Sequence, residues 1–338
     1  MRLSSARLAA TTIRLGDLEF PATRVHVPRT RVLFVHLDNL LHFAKVDRDG
    51  RVDGYVAAFL PDEVILLLLR EGELTTAVAV TSVGRVVLPI PSALADIRGE
   101  VERGELVYCD APFEQLAWMF QSCAAPAVPR AIESDGPAKL FAALKSQRFS
   151  GVLELISDGR VNYLRFEEGN FATGYFARKP DDIQIAQHVK DLLSPRADGS
   201  TPELAAAVFP PAGAIPRQAA PELIQHYRDL YWGIVRAADR EAQGEGLKHA
   251  DRIRDLIVKI HAPLEVLGTP PDVEAAAIVA TQEELNAALT EWARQLLEHL
   301  EILAPGIAPV VLRDATREHR FLLQKAGFYD RLPWTVAW

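Results

Sequence analysis

The sequence predicts an α+β protein: two antiparallel-sheet modules with flanking helices, then a C-terminal helical bundle. Two observations carry that expectation. The first is an internal echo. Gly54 opens an apolar run through Val64, Leu66 and Leu68 that ends at Arg70-Glu71-Gly72-Glu73-Leu74. Gly151 opens Val152-Leu153-Glu154-Leu155, which leads through Tyr163 and Phe166 to Glu167-Glu168-Gly169-Asn170-Phe171. The two glycine pairs superpose without a gap, as a repeated strand–turn–strand unit requires. The second observation is a change of period. Beyond Pro221 the apolar residues recur every 3.6 positions instead of every two.

Taken in order, residues 1–30 read as an N-terminal extension with one hairpin: Thr12–Leu15, a turn at Gly16-Asp17, then Leu18–Phe20. Residues 31–125 form the first module. Val32–Val35 is a strand candidate, Asn39 caps a helix through Val46, and Asp47–Gly50 is a turn because Asp-Gly supplies positive φ. Strands follow at 54–60, 64–70, 74–80 and 85–90. A hairpin around Arg103-Gly104 covers 101–109, and a helix covers 113–121. Residues 126–210 form the second module, after a connector over 124–129. It has a helix at 137–146, strands at 151–157, 161–167 and 171–177, and a helix at 182–193. Gly54, Gly72, Gly151 and Gly169 are assigned to structural turns. Six prolines between 194 and 221 mark an ordered excursion or a linker.

Residues 211–338 form the helical domain. Leu223, Tyr227, Leu230, Ile234 and Ala238 share one face. Ile253, Leu256, Ile260, Leu264 and Leu267 share a second. Leu285, Leu289, Trp292, Leu296, Leu300 and Leu303 share a third. Thr281-Gln282-Glu283-Glu284 is a capping box, in which the Thr hydroxyl and the Glu carboxylate each satisfy an early N–H. A last helix spans 314–325 and stops at Gly327.

Composition narrows the function. A net charge of −8 disfavours nucleic acid as a partner, since phosphate binding needs a basic face. No apolar run reaches the roughly 18 residues of a membrane span. Arg7 and Arg14 interrupt any secretory core, so a cytoplasmic protein is expected. Cys109 and Cys123 are too few for a disulfide framework and read as small apolar residues.

The glycine-and-aliphatic pattern resembles the PATAN family, a bacterial signalling-associated module. Residues 137–193 carry the resemblance best, through Leu140, Leu144, Phe149-Ser150-Gly151-Val152-Leu153-Glu154-Leu155, Phe166, Gly169 and the helix ending at Leu193. Residues 39–120 match more loosely, through Leu40, Gly54, Leu68, Gly72 and Ala77. Gly174 departs from the family's usual Ala, and the first copy carries a long insertion between Val80 and the helix at Phe113. The helical third lies outside the resemblance. What it implies is a non-enzymatic interaction domain, of a kind that occurs with receiver domains or near small Ras-like GTPases and their Roadblock partners.

Candidate chemistry is sparse. His36, Asp38 and His42 could approach one metal, but a turn or cap role for Asp38 and Asn39 is the plainer reading. Asp47, Asp49 and Asp53 lack the glycine and glutamate of a calcium loop. Glu71, Glu73, Glu167 and Glu168 sit at exposed turns, where nothing separates their pKa values for acid/base work. No P-loop, nucleophile elbow or His-Glu-x-x-His helix occurs. Arg313, Arg317, Arg320, Lys325 and Arg331 make a basic stretch followed by Trp334 and Trp338. Arg317, Arg320, Arg331, Trp334 and Trp338 are the candidate partner surface; the alternative is that the tryptophans seal the protein's own core.

The expectation is a non-catalytic scaffold or adaptor in bacterial signalling, with protein partners or a second copy of itself and no cofactor. Capture would use an exposed sheet edge or the bundle surface. The alternative is a small-molecule-binding sensor or hydrolase with a pocket between the second module and the bundle, drawing on His36, Asp38 or His188.

Overall fold

The two-residue turns at Glu71-Gly72 and Glu168-Gly169 build equivalent hairpins. In both, the two central residues have positive φ (51° and 77°; 48° and 82°), the mirror-image turn whose twist matches paired strands. A computed structural model describes residues 4–5, 14–46, 51–124, 128–130, 137–195, 199–200, 202–210 and 213–338. It divides into two compact units, Met1–Pro216 and Arg217–Trp338.

The first unit begins with β1 (Ser4–Ser5), β2 (Arg24–Arg31), α1 (Leu37–Val46), β3 (Gly54–Phe59), β4 (Glu63–Arg70) and β5 (Glu73–Thr81). It continues with β6 (Gly84–Leu88), α2 (Ile90–Gly99), β7 (Glu105–Asp110) and α3 (Phe113–Ala124). The second half holds β8 (Val128–Arg130), α4 (Pro137–Ser146), β9 (Gly151–Ser157) and β10 (Arg160–Glu167). β11 (Asn170–Phe176), α5 (Ile185–Leu193) and β12 (Leu204–Phe209) complete it. The strand orders are β1-β6-β5-β4-β3-β7-β2 and β11-β10-β9-β12-β8, with every strand pair antiparallel.

Set side by side, β5-β4-β3-β7-β2 and β11-β10-β9-β12-β8 are the same arrangement reached in the same chain order. The likeness extends to single bonds. Gly54 pairs with Leu69 and Gly151 with Phe166. Each third strand carries a bulge at the matching place, skipping Thr75 in one copy and Ala172 in the other. The Gly72 N–H donates to the Val52 carbonyl and the Gly169 N–H to the Phe149 carbonyl, both at 2.8 Å. The Glu71 N–H donates to the Asp53 carboxylate and the Glu168 N–H to the Ser150 hydroxyl.

The glycines divide into two kinds. A Cβ at Gly72 would stand 2.5 Å from the Ala44 carbonyl oxygen, and one at Gly169 2.7 Å from the Lys145 Cα, so the end of α1 or α4 rests on each turn. Gly54 and Gly151 open strands and do not sit in turns, a correction to their assignment. A Cβ there would meet the carbonyl of Cys109 at 2.2 Å or of Phe209 at 2.7 Å on the neighbouring strand.

Each sheet is buried on both faces, which is why its strands read as apolar runs without alternation. Val56, Ala58, Ile65 and Leu67 face α1 and α2; Leu153, Leu155 and Leu164 face α4 and α5. The opposite faces share one core, where Tyr55, Leu66 and Leu68 of one sheet and Val152, Ile156 and Tyr163 of the other enclose Leu116, Trp118 and Met119 of α3. The segment before β2 straps the sheets together. Leu18 is buried, Glu19 bridges to Arg160, and the Tyr55 hydroxyl donates to the Pro21 carbonyl at 3.0 Å.

Several expected elements differ. Val32–Phe34 is a 3-10 turn, and the strand lies before it at 24–31, inside the expected extension. That strand, Arg-Val-His-Val-Pro-Arg-Thr-Arg, is a sheet edge, and its charges and Pro28 hide its strand character. Residues 101–104 turn out of α2 into β7 and form no hairpin. The α2 helix itself follows Pro89 and has Pro91 in its first turn, where a missing N–H costs nothing. It occupies the place of α5, and β7 that of β12. The apparent insertion therefore reduces to β6, with α3 appended. β12 lies within the proline-rich stretch. Of the expected 12–20 hairpin, Leu15–Asp17 is a 3-10 turn, and its start falls outside the described residues. So do the turn at 47–50 and residues 125–127 of the connector expected at 124–129, whose Val128 and Pro129 belong to β8.

The second unit is helical: α6 (Pro221–Glu241), α7 (Gly246–Ile257), α8 (Pro263–Leu267), α9 (Gln282–Leu303), α10 (Ile307–Thr316) and α11 (Arg320–Lys325). Its core centres on Trp292, stacked at 4.0 Å on Tyr231. The Thr281–Glu284 capping box forms as expected. Leu256 lies off the buried face of α7, which runs through Ala250, Ile253 and Ile257, and Ile260 is exposed beyond that helix's end. The expected 314–325 helix is two, broken at 317–319, and Gly327 follows with φ 69°. Among the described residues no helix is long and apolar enough to cross a membrane.

Candidate functional site

The two copies differ most at one sheet edge. In the first, the Ala77–Thr81 part of β5 is covered by β6, which is in turn paired with Ser4-Ser5. In the second, β11 occupies the place of β5, and among the described residues no strand lies beyond it. The chain passes from Phe176 to α5 without a β6 counterpart.

The residues of β11 hold it in place from one side only. Tyr175 turns inward, 5.0 Å from the Trp118 ring, and its hydroxyl donates to the Glu114 carboxylate at 3.0 Å. Burial and then that carboxylate push the Tyr175 hydroxyl up to about 12, so it stays a donor. Arg165 of β10 donates to the same carboxylate at 2.8 Å. Phe176 turns to the other face, edge-on to His188. Gly174 lets the strand lie close to β10, since a Cβ would stand 2.9 Å from the Tyr163 carbonyl. Asn170, Phe171 and Ala172 are exposed, Phe171 by 41%.

Sheet edges carry unpaired N–H and C=O groups and are usually defended by charge, proline or a covering element. The β2 edge carries four ionisable side chains, Arg24, His26, Arg29 and Arg31, together with Pro28. Asn170-Phe171-Ala172-Thr173-Gly174-Tyr175-Phe176 has no charge and no proline. Chemically, this strand can accept another.

The C-terminal surface residues separate. Arg320 lies over the rings of Phe321 and Trp338, at 4.7 and 5.3 Å from their centres. Trp338 is half exposed, whereas Trp334 packs against the helical core. Arg317 is exposed on the break between α10 and α11. Arg331 stands apart, lining a groove of about 290 Å³ with Ile260, His261, Thr290 and Glu291.

The remaining candidates do not converge. His36 and Asp38 are exposed at the start of α1, where Asp38 accepts from Arg98 at 2.6 Å and His36 Nδ1 accepts from the Asn39 N–H. His42 is exposed further along that helix. Among the described residues no group of three or more His, Cys, Asp or Glu side chains is arranged to hold a metal. His188 is on the buried face of α5. Burial pushes the Cys109 and Cys123 thiols up to about 11, so neither is a ready nucleophile. The largest buried charges, Arg85 and Glu154, are bonded to each other.

No family model, no curated protein and no solved structure matches this chain. The sequence reading offered an exposed sheet edge or the bundle surface for capture and located neither edge nor strand. The available signal was the uncharged stretch 170–176 together with the missing strand before α5.

Proposed function

We propose that the chain is a non-catalytic interaction module that captures a protein partner by strand addition at β11. A role as a PATAN-like adaptor in bacterial signalling follows from the sequence resemblance and belongs to the same proposal, as does a cytoplasmic location. The observation that carries it is the difference between copies: β6 covers Ala77–Thr81 of β5, whereas among the described residues no strand covers any part of β11, which carries no charge and no proline. An added strand would gain main-chain hydrogen bonds from β11, and the exposed Phe171 would give side-chain specificity.

A pull-down from the native host tests this reading. The partner identified by mass spectrometry is purified and rebound to wild type and to Ala172→Lys, which puts a charge on the edge. Binding weakened about tenfold or more supports strand addition. Undiminished binding to a well-folded variant removes it.

A further inference from the structure

We infer that the strand added to β11 is the β11 of a second copy of this chain, antiparallel to the first about a two-fold axis near Thr173. This rests on reading β11 as an interaction edge and names its occupant.

Three observations point to self-pairing. First, the chain already shows how this module extends: β6 lies antiparallel beyond β5, from Ala77 opposite Leu88 to Thr81 opposite Gly84. Second, a two-fold axis sets a strand against its own copy, so a charge near the axis would meet itself. The seven residues of β11 carry none. The bulge at Ala172 puts Phe171 on the Phe166 face of the sheet and Tyr175 on the Trp118 face, so neither aromatic sets bulk or charge directly across an axis at Thr173. Ala172 then stands opposite Gly174, small against small. Third, the strand ends are complementary in charge. Glu167 and Glu168 lie at the hairpin before β11, and Arg178 and Lys179 follow its far end. Antiparallel pairing brings the acidic end of one copy to the basic end of the other. Glu168 and Arg178 now pair with Arg148 and Glu19, but the Glu168, Arg148 and Arg178 side chains are each at least 70% exposed. Such surface pairs exchange partners at little cost.

The test is light scattering over a concentration series for wild type, Ala172→Lys, Ala172→Glu and an equimolar mixture of the two variants. A reversible wild-type dimer is expected, with each variant dissociating about tenfold more readily and the mixture regaining the dimer through opposite charges. Circular dichroism checks that the variants fold. Wild-type amide exchange over 171–175 gives a readout free of substitutions and should slow as concentration rises. A wild type monomeric throughout, a dimer indifferent to both variants, or exchange unaffected by concentration overturns the inference. If wild type is monomeric while Ala172→Lys still loses the purified partner, self-pairing fails and the interaction edge stands.

Discussion

Arg85 of β6 and Glu154 of β9 form a doubly bonded ion pair, at 2.7 and 2.5 Å, that joins the two sheets where both side chains are more than nine-tenths buried. Burial pulls the guanidinium pKa down, and the Glu154 carboxylate more than reverses this, leaving it above its ordinary value. A third bond runs from Arg85 to the Ser122 carbonyl of α3. The pair thus ties β6, the element unique to the first copy, to the second copy and to the helix between them.

Removing one partner strands the other charge in the core. Glu154→Gln should cost about 3–5 kcal/mol in urea unfolding of the first unit. The double variant Arg85→Met/Glu154→Leu should recover most of that loss, because apolar groups of similar size need no partner. A double variant no more stable than Glu154→Gln would show that the pair is indispensable.

Much of this architecture was legible in the residues. Gly54, Gly72, Gly151 and Gly169 announced the repeat because each stands where backbone crowds the Cβ position. The buried strands showed as apolar runs. What stayed hidden was set by pairing at a distance: β2 carries the charges of an edge, and α2 begins with a proline-marked turn that reads as loop. Among the described residues no strand covers β11, an absence visible only once β6 is seen to cover Ala77–Thr81 of β5. The Arg85–Glu154 pair spans 69 positions of sequence, and no local pattern signals it.

The turn glycines should rank by crowding. Gly72→Ala and Gly169→Ala combine positive φ with a collision against a helix end, for about 2–4 kcal/mol each. Gly244 has φ 93° and open space, so Gly244→Ala should cost only about 1 kcal/mol. Gly213→Ala, with nothing within 4 Å and ordinary φ, should be neutral or raise stability by about 0.5 kcal/mol. Thermal unfolding of the four variants checks the order.

His188 gives the fold a pH dependence. It is buried with Nε2 unbonded among the described atoms. Burial first, then Arg160 and Lys179, hold its pKa below 6.5, against the opposing pull of Asp191. The unfolded chain therefore takes up its proton first as pH falls. Stability contributed by neutral His188 is present above pH 6.5 and is lost as pH drops towards the folded value. His249 is lowered too, so the informative quantity is a difference. His188→Leu should flatten the stability profile between about pH 7 and 5 relative to wild type, and an unchanged slope would exclude this role.

The two terminal tryptophans should behave differently. Trp338 is half exposed over Arg320, and Trp338→Ala should cost under about 1 kcal/mol. Trp334 packs on the helical core, and Trp334→Ala should cost about 1.5–3 kcal/mol. Guanidinium unfolding of each variant separates them.

Residue-resolved amide exchange on the Ala172→Lys chain, whose charged edge opposes pairing, tests the open edge most directly. If β11 is uncovered, its outward-facing amides between Phe171 and Phe176 exchange fast and alternate with slow ones bonded to β10, while Ala77–Val80 of β5, paired on both sides, is slow throughout. Uniform protection of β11, matching β5, would mean that another part of the chain already lies along it, and the account would fail.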